Sequence, residues 1–149
     1  MISPALYAAS GVLGAIFGSF LGVVVERLPG WMREEEGAGN LLYPPSHCPA
    51  CQHRLRWWEN IPLVSWLMLR GRCRCCRSAI PLRVLMVELL SALFFALSAW
   101  LTPDLPVLLA LWLLWCGLLP MAMIDLRERL LPDCLTQPLL WAGLVLHAF

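Results

Sequence analysis

The sequence contains no lysine. All eleven basic residues are arginine, and against ten acidic residues they leave a formal net charge of +1. With so small a balance and no basic tail, the chain lacks the electrostatic footprint of a nucleic-acid-binding protein, and no nucleic-acid partner is expected. Charge of either sign is scarce: 14% of the 149 residues are charged and 60% are hydrophobic, with a mean hydropathy of +0.70. A soluble domain sits nearer half apolar and a quarter charged, so the composition is that of a membrane protein. No low-complexity segment, glycine-rich nucleotide loop or Ser-His-Asp constellation occurs. The first apolar stretch is longer and less cleavable-looking than a secretory signal, with no basic residue before it.

What is present is a series of long apolar runs. The first extends from about Pro4 to Val25 and carries Gly11, Gly14, Gly18 and Gly22 at intervals of three to four residues. That spacing lines small residues along one face, where a second helix backbone can approach closely. Glu26-Arg27 and Leu28-Pro29-Gly30 follow as a predicted helix stop. A second span starts near Pro81 and Arg83 and reaches about Trp100, with Glu88 two turns inside it. A third, Leu105 to Ile124, includes Pro120 and delivers Asp125 to its end. A fourth is predicted from near Leu135, with Thr136 as its N-cap, Asp133 in the preceding turn and Pro138 in its first turn. From Leu135 to Phe149 there are fifteen residues, fewer than the roughly 20 a span needs. The expected fold is therefore an all-α polytopic membrane protein of about four transmembrane helices, the last truncated.

Nine of the eleven arginines lie between Arg27 and Arg83, whereas the turn Thr102–Pro106 has none. The positive-inside rule then places the 26–83 insert in the cytoplasm and the turn outside. Within the insert, Arg33 to Asn40 has the three glutamates and two glycines of a solvated loop. Cys48-Pro-Ala-Cys51 and Cys73-Arg-Cys-Cys76 form two C-x-x-C knuckles separated by 21 residues. This is close to the zinc-ribbon template, in which four thiolates surround Zn2+ tetrahedrally. The alternatives are a disulfide pair or a redox dithiol; disulfides are rare in a reducing cytoplasm, where zinc is favoured. Cys75 competes with Cys73 and Cys76, although adjacent cysteines make a poorer chelate, and His47 and His53 are further substitutes. Between the knuckles, Asn60 to Arg72 is too short to span, and Trp57, Trp58 and Trp66 cluster near it. Tryptophan favours the membrane interface, so the module is expected to lie against the bilayer.

Ionisable groups at membrane depth are costly and mark functional sites by default, although a helix end tolerates them more cheaply. Asp125 is the first candidate and Glu88 a supporting one. Glu88 is read either as a polar group facing the site or as a carboxylate near a helix start paired with Arg83.

The stretch Ile124-Asp-Leu-Arg-Glu-Arg-Leu-Leu-Pro-Asp133, continuing into Leu-Thr-Gln-Pro-Leu-Leu140, resembles the first active-site segment of the type IV prepilin peptidases. Gly18-Ser-Phe-Leu-Gly-Val-Val-Val25 is similar to that family's opening helix, with Gly22 where asparagine is usual. Asn60-Ile-Pro-Leu-Val-Ser-Trp-Leu67 and Arg70-Gly-Arg-Cys73 match its cysteine-rich domain, and Arg83, Val87 and Glu88 keep part of a further motif. The resemblance implies a membrane aspartic peptidase of the bacterial inner membrane that serves type IV pili or type II secretion. It would cleave the leader of prepilin or pseudopilin substrates and methylate the new amino terminus from S-adenosylmethionine, with Asp125 as the first catalytic aspartate. That family's second aspartate sits in a Gly-x-Gly-Asp motif on a later helix, and no such motif occurs here. Asp133 is the nearest replacement and is read as structural. The implied units are 1–25, a first transmembrane helix; 26–83, a zinc-binding insert; and 84–149, the incomplete start of the peptidase domain. The competing readings are a non-catalytic membrane and zinc module, one half of a split peptidase completed by a separate chain, and a thiol oxidoreductase.

Overall fold

The structure, a computed structural model, describes residues 4–33 and 46–148, and its described part is helical with no strand. The elements are α1 (Pro4–Met32), a 3-10 turn (Trp57–Asn60), the short α2 (Val64–Met68), α3 (Leu82–Leu101), α4 (Leu105–Glu128) and α5 (Asp133–Ala148). Three of them, α1, α3 and α4, are long and apolar enough to cross a membrane. At 16 residues, α5 is shorter than a span. Beyond Arg33, the loop expected up to Asn40 lies outside the described residues.

Apolar side chains gain nothing by leaving lipid for one another, so spanning helices associate by close packing and interhelical hydrogen bonds. Both devices are visible. A Cβ at Gly18 would lie 2.8 Å from Glu88 Cα, and one at Gly14 the same distance from Phe95 Cβ, so α1 approaches α3 as only glycine allows. Gly11 is looser, 3.5 Å from Ala96 Cβ, and Gly22 faces open space. The expected glycine face thus packs through three of its four members.

The α3–α4 pair is a hairpin around the Thr102–Asp104 link. Trp112 Nε1 donates to Ser98 Oγ at 2.9 Å, and Trp115 Nε1 donates to Ser91 Oγ at 3.1 Å. Phe95 stacks on Trp112 at 4.5 Å between centroids, and Phe94 on Trp115 at 4.1 Å. A buried indole N–H needs an acceptor in an apolar medium, and here the serine oxygens supply it, while the Ser98 hydroxyl donates in turn to the Phe95 carbonyl at 3.0 Å.

At the end of the bundle that meets the insert, Val24, Val25 and Leu28 of α1 pack with Ile124 of α4, with Met123 and Leu135 alongside. Two ion pairs ring this end, Arg83–Glu26 at 3.0 Å and Arg33–Glu128. All four side chains are partly exposed, so each pair contributes at most about 1 kcal/mol.

Two local expectations are corrected. First, α1 does not stop at Leu28-Pro29-Gly30; it runs through Pro29 to Met32. Proline forfeits one backbone bond there, but Leu28 is buried in the four-residue cluster and the Arg33 N–H closes the next turn on the Pro29 carbonyl at 3.2 Å. Packing outweighs the local break. The helix therefore crosses residues 25 and 26, where a unit boundary was placed. Second, Thr136 is not an N-cap and Asp133 is not in a preceding turn. Asp133 opens α5, and the Pro132 carbonyl accepts from the N–H groups of Leu135 and Thr136 at 3.0 and 3.1 Å. The Thr136 hydroxyl turns back to the Asp133 carbonyl.

Candidate metal centre and candidate active site

The two cysteine segments fold into the same turn twice. In the first, Cys48 N–H donates to the His53 carbonyl at 2.9 Å, Gln52 N–H to Cys48 at 2.9 Å and Leu55 N–H to Ser46 at 2.9 Å. In the second, Cys73 N–H donates to Ser78 at 2.8 Å, Arg77 N–H to Cys73 at 3.0 Å and Ile80 N–H to Gly71 at 2.7 Å. The offsets from the leading cysteine are identical. Each turn also puts the residue after its second cysteine in the left-handed region, Gln52 at φ 59° and Arg77 at φ 57°.

These turns bring Cys48, Cys51, Cys73 and Cys76 together, with all four sulfurs within 4.8 Å of one another. The Cys48–Cys76 and Cys51–Cys73 separations are 3.7 and 3.9 Å. Tetrahedral Zn2+ with Zn–S of about 2.3 Å requires sulfurs roughly 3.8 Å apart, so the set fits that ion, whereas a disulfide needs about 2.05 Å. Cys75 is exposed and outside the cluster. Four thiolate ligands would leave no open position, the pattern of a structural rather than a catalytic zinc.

The protonation pattern shows how ready the cluster is for a cation. A hydrogen bond with the Ser78 hydroxyl, then backbone N–H groups of Cys51 and Ala50, bring Cys48 down to about 6. Ser78 likewise lowers Cys76. Cys51 is helped by a backbone hydrogen bond at His53, yet burial and sharing its proton with Cys76, Cys48 and Cys73 push it up to about 12. Two sulfurs ionise easily, and Cys51 holds its proton in hydrogen bonds with its neighbours, a proton that a divalent cation would displace.

Ser78 and Glu59 are the members of this centre that the sequence reading missed. Glu59 sits in the 3-10 turn with its side chain 3% exposed. Its Oε2 accepts the Arg56 N–H at 2.9 Å, with His53 Nε2 3.6 Å away, while Arg74 Nη1 stands 3.9 Å from Oε1. One carboxylate thus lies beside a residue from each knuckle. The only sequence signal was its position as a lone acid among six arginines.

Glu88 is buried, and its partner is not Arg83, which is engaged by Glu26. Its Oε2 instead accepts the backbone N–H of Leu63 at 2.7 Å, tying the residue before α2 to the membrane bundle. Leu63 itself has φ 60°, a conformation that branched side chains rarely adopt.

Asp125 occupies the last turn of α4, where the Arg129 N–H caps its carbonyl at 2.9 Å with Arg129 left-handed at φ 53°. Its neighbour Ile124 is fully buried, so the backbone that carries Asp125 is fixed while the side chain is exposed. Asp133 is exposed across the short link, in the first turn of α5. Neither side chain has a hydrogen bond or ion pair among the described residues.

Residues 12–102 match the bacterial peptidase A24 N-terminal domain. The chain belongs to that family. The prepilin leader peptidase/N-methyltransferase of Stutzerimonas stutzeri is 45% identical over 154 residues, covering 93% of this chain and 53% of the relative. The type 4 prepilin-like proteins leader peptide-processing enzyme of Escherichia coli O78:H11 is 43% identical, over 89% of this chain and 53% of the relative. The Neisseria gonorrhoeae prepilin leader peptidase/N-methyltransferase is 36% identical over 99% and 57%. The chain spans about half the length of these curated relatives. No solved structure matches it.

Proposed function

We propose that this chain supplies the amino-terminal half of a prepilin leader peptidase/N-methyltransferase of the bacterial inner membrane, working on prepilin or pseudopilin substrates. The 45% identity to a protein of that name, over nearly the whole chain, carries the reading. In an aspartic peptidase two carboxyl groups about 3 Å apart cannot both ionise, so one takes a proton from water while the other donates to the substrate. Asp125, exposed on a fixed helix end, is assigned as one member of the pair. The other comes from the part of the relatives' length that these residues do not cover. Asp133 serves the start of α5, where a carboxylate is favoured by the helix dipole. Zn2+ held by Cys48, Cys51, Cys73 and Cys76 fastens the insert, which the arginine bias places in the cytoplasm. The methyl donor is S-adenosylmethionine, assigned from the relatives' activity alone.

The test is leader removal from a co-expressed prepilin, read by gel shift. The 149 residues alone should not cleave, and cleavage should appear when the sequence completing the relatives' length is supplied in continuation or as a second chain. In the completed enzyme, Asp125→Asn should abolish cleavage and Asp133→Asn should only weaken it. Continued cleavage with Asp125→Asn would remove the aspartic assignment. Cleavage by the 149 residues alone that Asp133→Asn abolishes would make Asp125 and Asp133 the pair.

A further inference from the structure

The insert carries a surface that neither the metal centre nor the aspartates use. On α2, Val64, Leu67 and Met68 stand at spacings of three and four residues, one face of a helix. They are 47%, 64% and 79% exposed, and Trp58 and Ile61 extend the same apolar character into the preceding turn. The flank of α2 is, by contrast, engaged. The Trp66 ring lies 2.7 Å from where a Cβ on Gly71 would be, and Gly71, at φ 65°, donates to the Trp66 carbonyl at 2.9 Å. The helix is thus held with its apolar face outward, where no described residue covers it.

The Glu88 tie fixes the height of this face. Glu88 lies six residues into α3, about 9 Å from its start at 1.5 Å per residue. Leu63, bonded to it, therefore starts α2 level with the second turn of α3, beside the end of that helix that meets the insert. Around α2 the charge is of one sign. Residues 46–81 contain six arginines and a single acid, Glu59, which is buried and engaged. Arg54, Arg70, Arg72 and Arg77 are exposed, and their guanidinium groups have no partner among the described residues. Arg70 and Arg72 flank Gly71 directly at the end of α2.

We propose that α2 is an interfacial anchor whose ligand is an anionic phospholipid surface. Val64, Leu67 and Met68 enter the boundary between headgroups and acyl chains, and Arg70 and Arg72 meet headgroup phosphates. Guanidinium suits that role, because its planar fork pairs with phosphate through two parallel N–H donors. An apolar face alone would accept any bilayer; the unpaired arginines select a negatively charged one. Each arginine near such a surface is worth about a fivefold shift in the docking equilibrium.

The experiment is hydrogen exchange of residues 61–72 in the full chain, in nanodiscs of phosphatidylcholine alone or with phosphatidylglycerol. Phosphatidylglycerol should slow exchange of this segment, and high salt should reverse the slowing; neither observation needs a variant. Arg70→Gln with Arg72→Gln should reduce the phosphatidylglycerol advantage by about 25-fold, and Leu67→Ser with Met68→Ser should raise exchange in both lipids. Unchanged zinc content in both pairs would show that the insert is still folded. Exchange indifferent to phosphatidylglycerol and to salt would overturn the proposal, as would protection that appears only when a second protein is added.

Discussion

The membrane bundle and the cysteine insert are held together by opposite means. In the bundle, backbones touch through Gly14 and Gly18, aromatic rings stack between α3 and α4, and two indole–serine hydrogen bonds consume the polar atoms. Among the described residues 46–81 of the insert, the buried hydrophobic ones are Cys48 and Cys73, which are themselves candidate ligands. A segment this small cannot bury enough apolar surface to offset its conformational entropy without a staple. The bundle should therefore survive the loss of any one contact by degrees, whereas the insert should fail all at once.

The sharpest way to break that contrast is at the sulfurs. Cys48→Ser, or the same change at Cys51, Cys73 or Cys76, should release zinc and unfold the insert while α1, α3 and α4 remain helical. The binding energy at stake is on the order of 10 kcal/mol. Metal analysis together with hydrogen exchange reads both halves, and Cys75→Ser is the control that should change neither. Retained zinc after any of the four changes would remove that residue from the site. Whatever residual fold the metal-free insert keeps should follow the sulfur titrations. Cys48 falls from 9.0 to about 6, so its thiolate stabilises the fold fully above 9 and loses that contribution as pH falls through 6. Cys51 is raised from 9.0 to about 12, which favours its protonated form and begins to cost stability above 9. Residual exchange protection of the metal-free insert, followed against pH, should thus rise from 6 to 9 and gain nothing beyond.

In the bundle, Gly18→Leu should force α1 and α3 apart and cost roughly 1–3 kcal/mol, the range for overpacking, measurable by reversible unfolding in bilayers. Gly22→Leu, facing open space, should be nearly neutral. Glu88→Ala tests the seam between the regions. It strands the Leu63 N–H at a cost of about 1–3 kcal/mol and should speed exchange at Leu63 before any loss of zinc. The smallest effect belongs to Ser91→Ala, which deprives the Trp115 N–H of its acceptor. Interhelical hydrogen bonds in membranes average about 0.6 kcal/mol, so only a double-mutant cycle with Trp115→Phe would resolve it.

The same contrast governs what could be read from the sequence. The three spans are legible because some twenty apolar residues in a row have few other uses, and the knuckles because metal geometry fixes ligand spacing. The break expected at Pro29 is a local rule, and the burial of Leu28 against Ile124, nearly a hundred residues away in the chain, overrides it. The Glu88 partner that ties the two regions is a backbone N–H, which leaves no mark on residue type. Ser91 and Ser98, seven residues apart on α3, and Trp112 and Trp115, three apart on α4, do carry a pattern. It becomes meaningful only when the two helices are known to be antiparallel neighbours. Asp125 stood out because a lone carboxylate closes an apolar run, whereas Glu59 was hidden among exposed arginines that gave no hint of its burial.

The duplicated turn has a consequence for how the insert assembles. Each knuckle closes on bonds spanning no more than ten residues, so either can form alone, quickly, and present two sulfurs in register. An ion caught by one knuckle then meets the other not at bulk concentration but at the millimolar level set by the 21-residue tether between them. Doubling that tether would cost only about 0.6 kcal/mol. Outside the residues that close the turns or brace them, the stretch between the knuckles is thus free to lengthen or shorten without endangering the clasp that closes it.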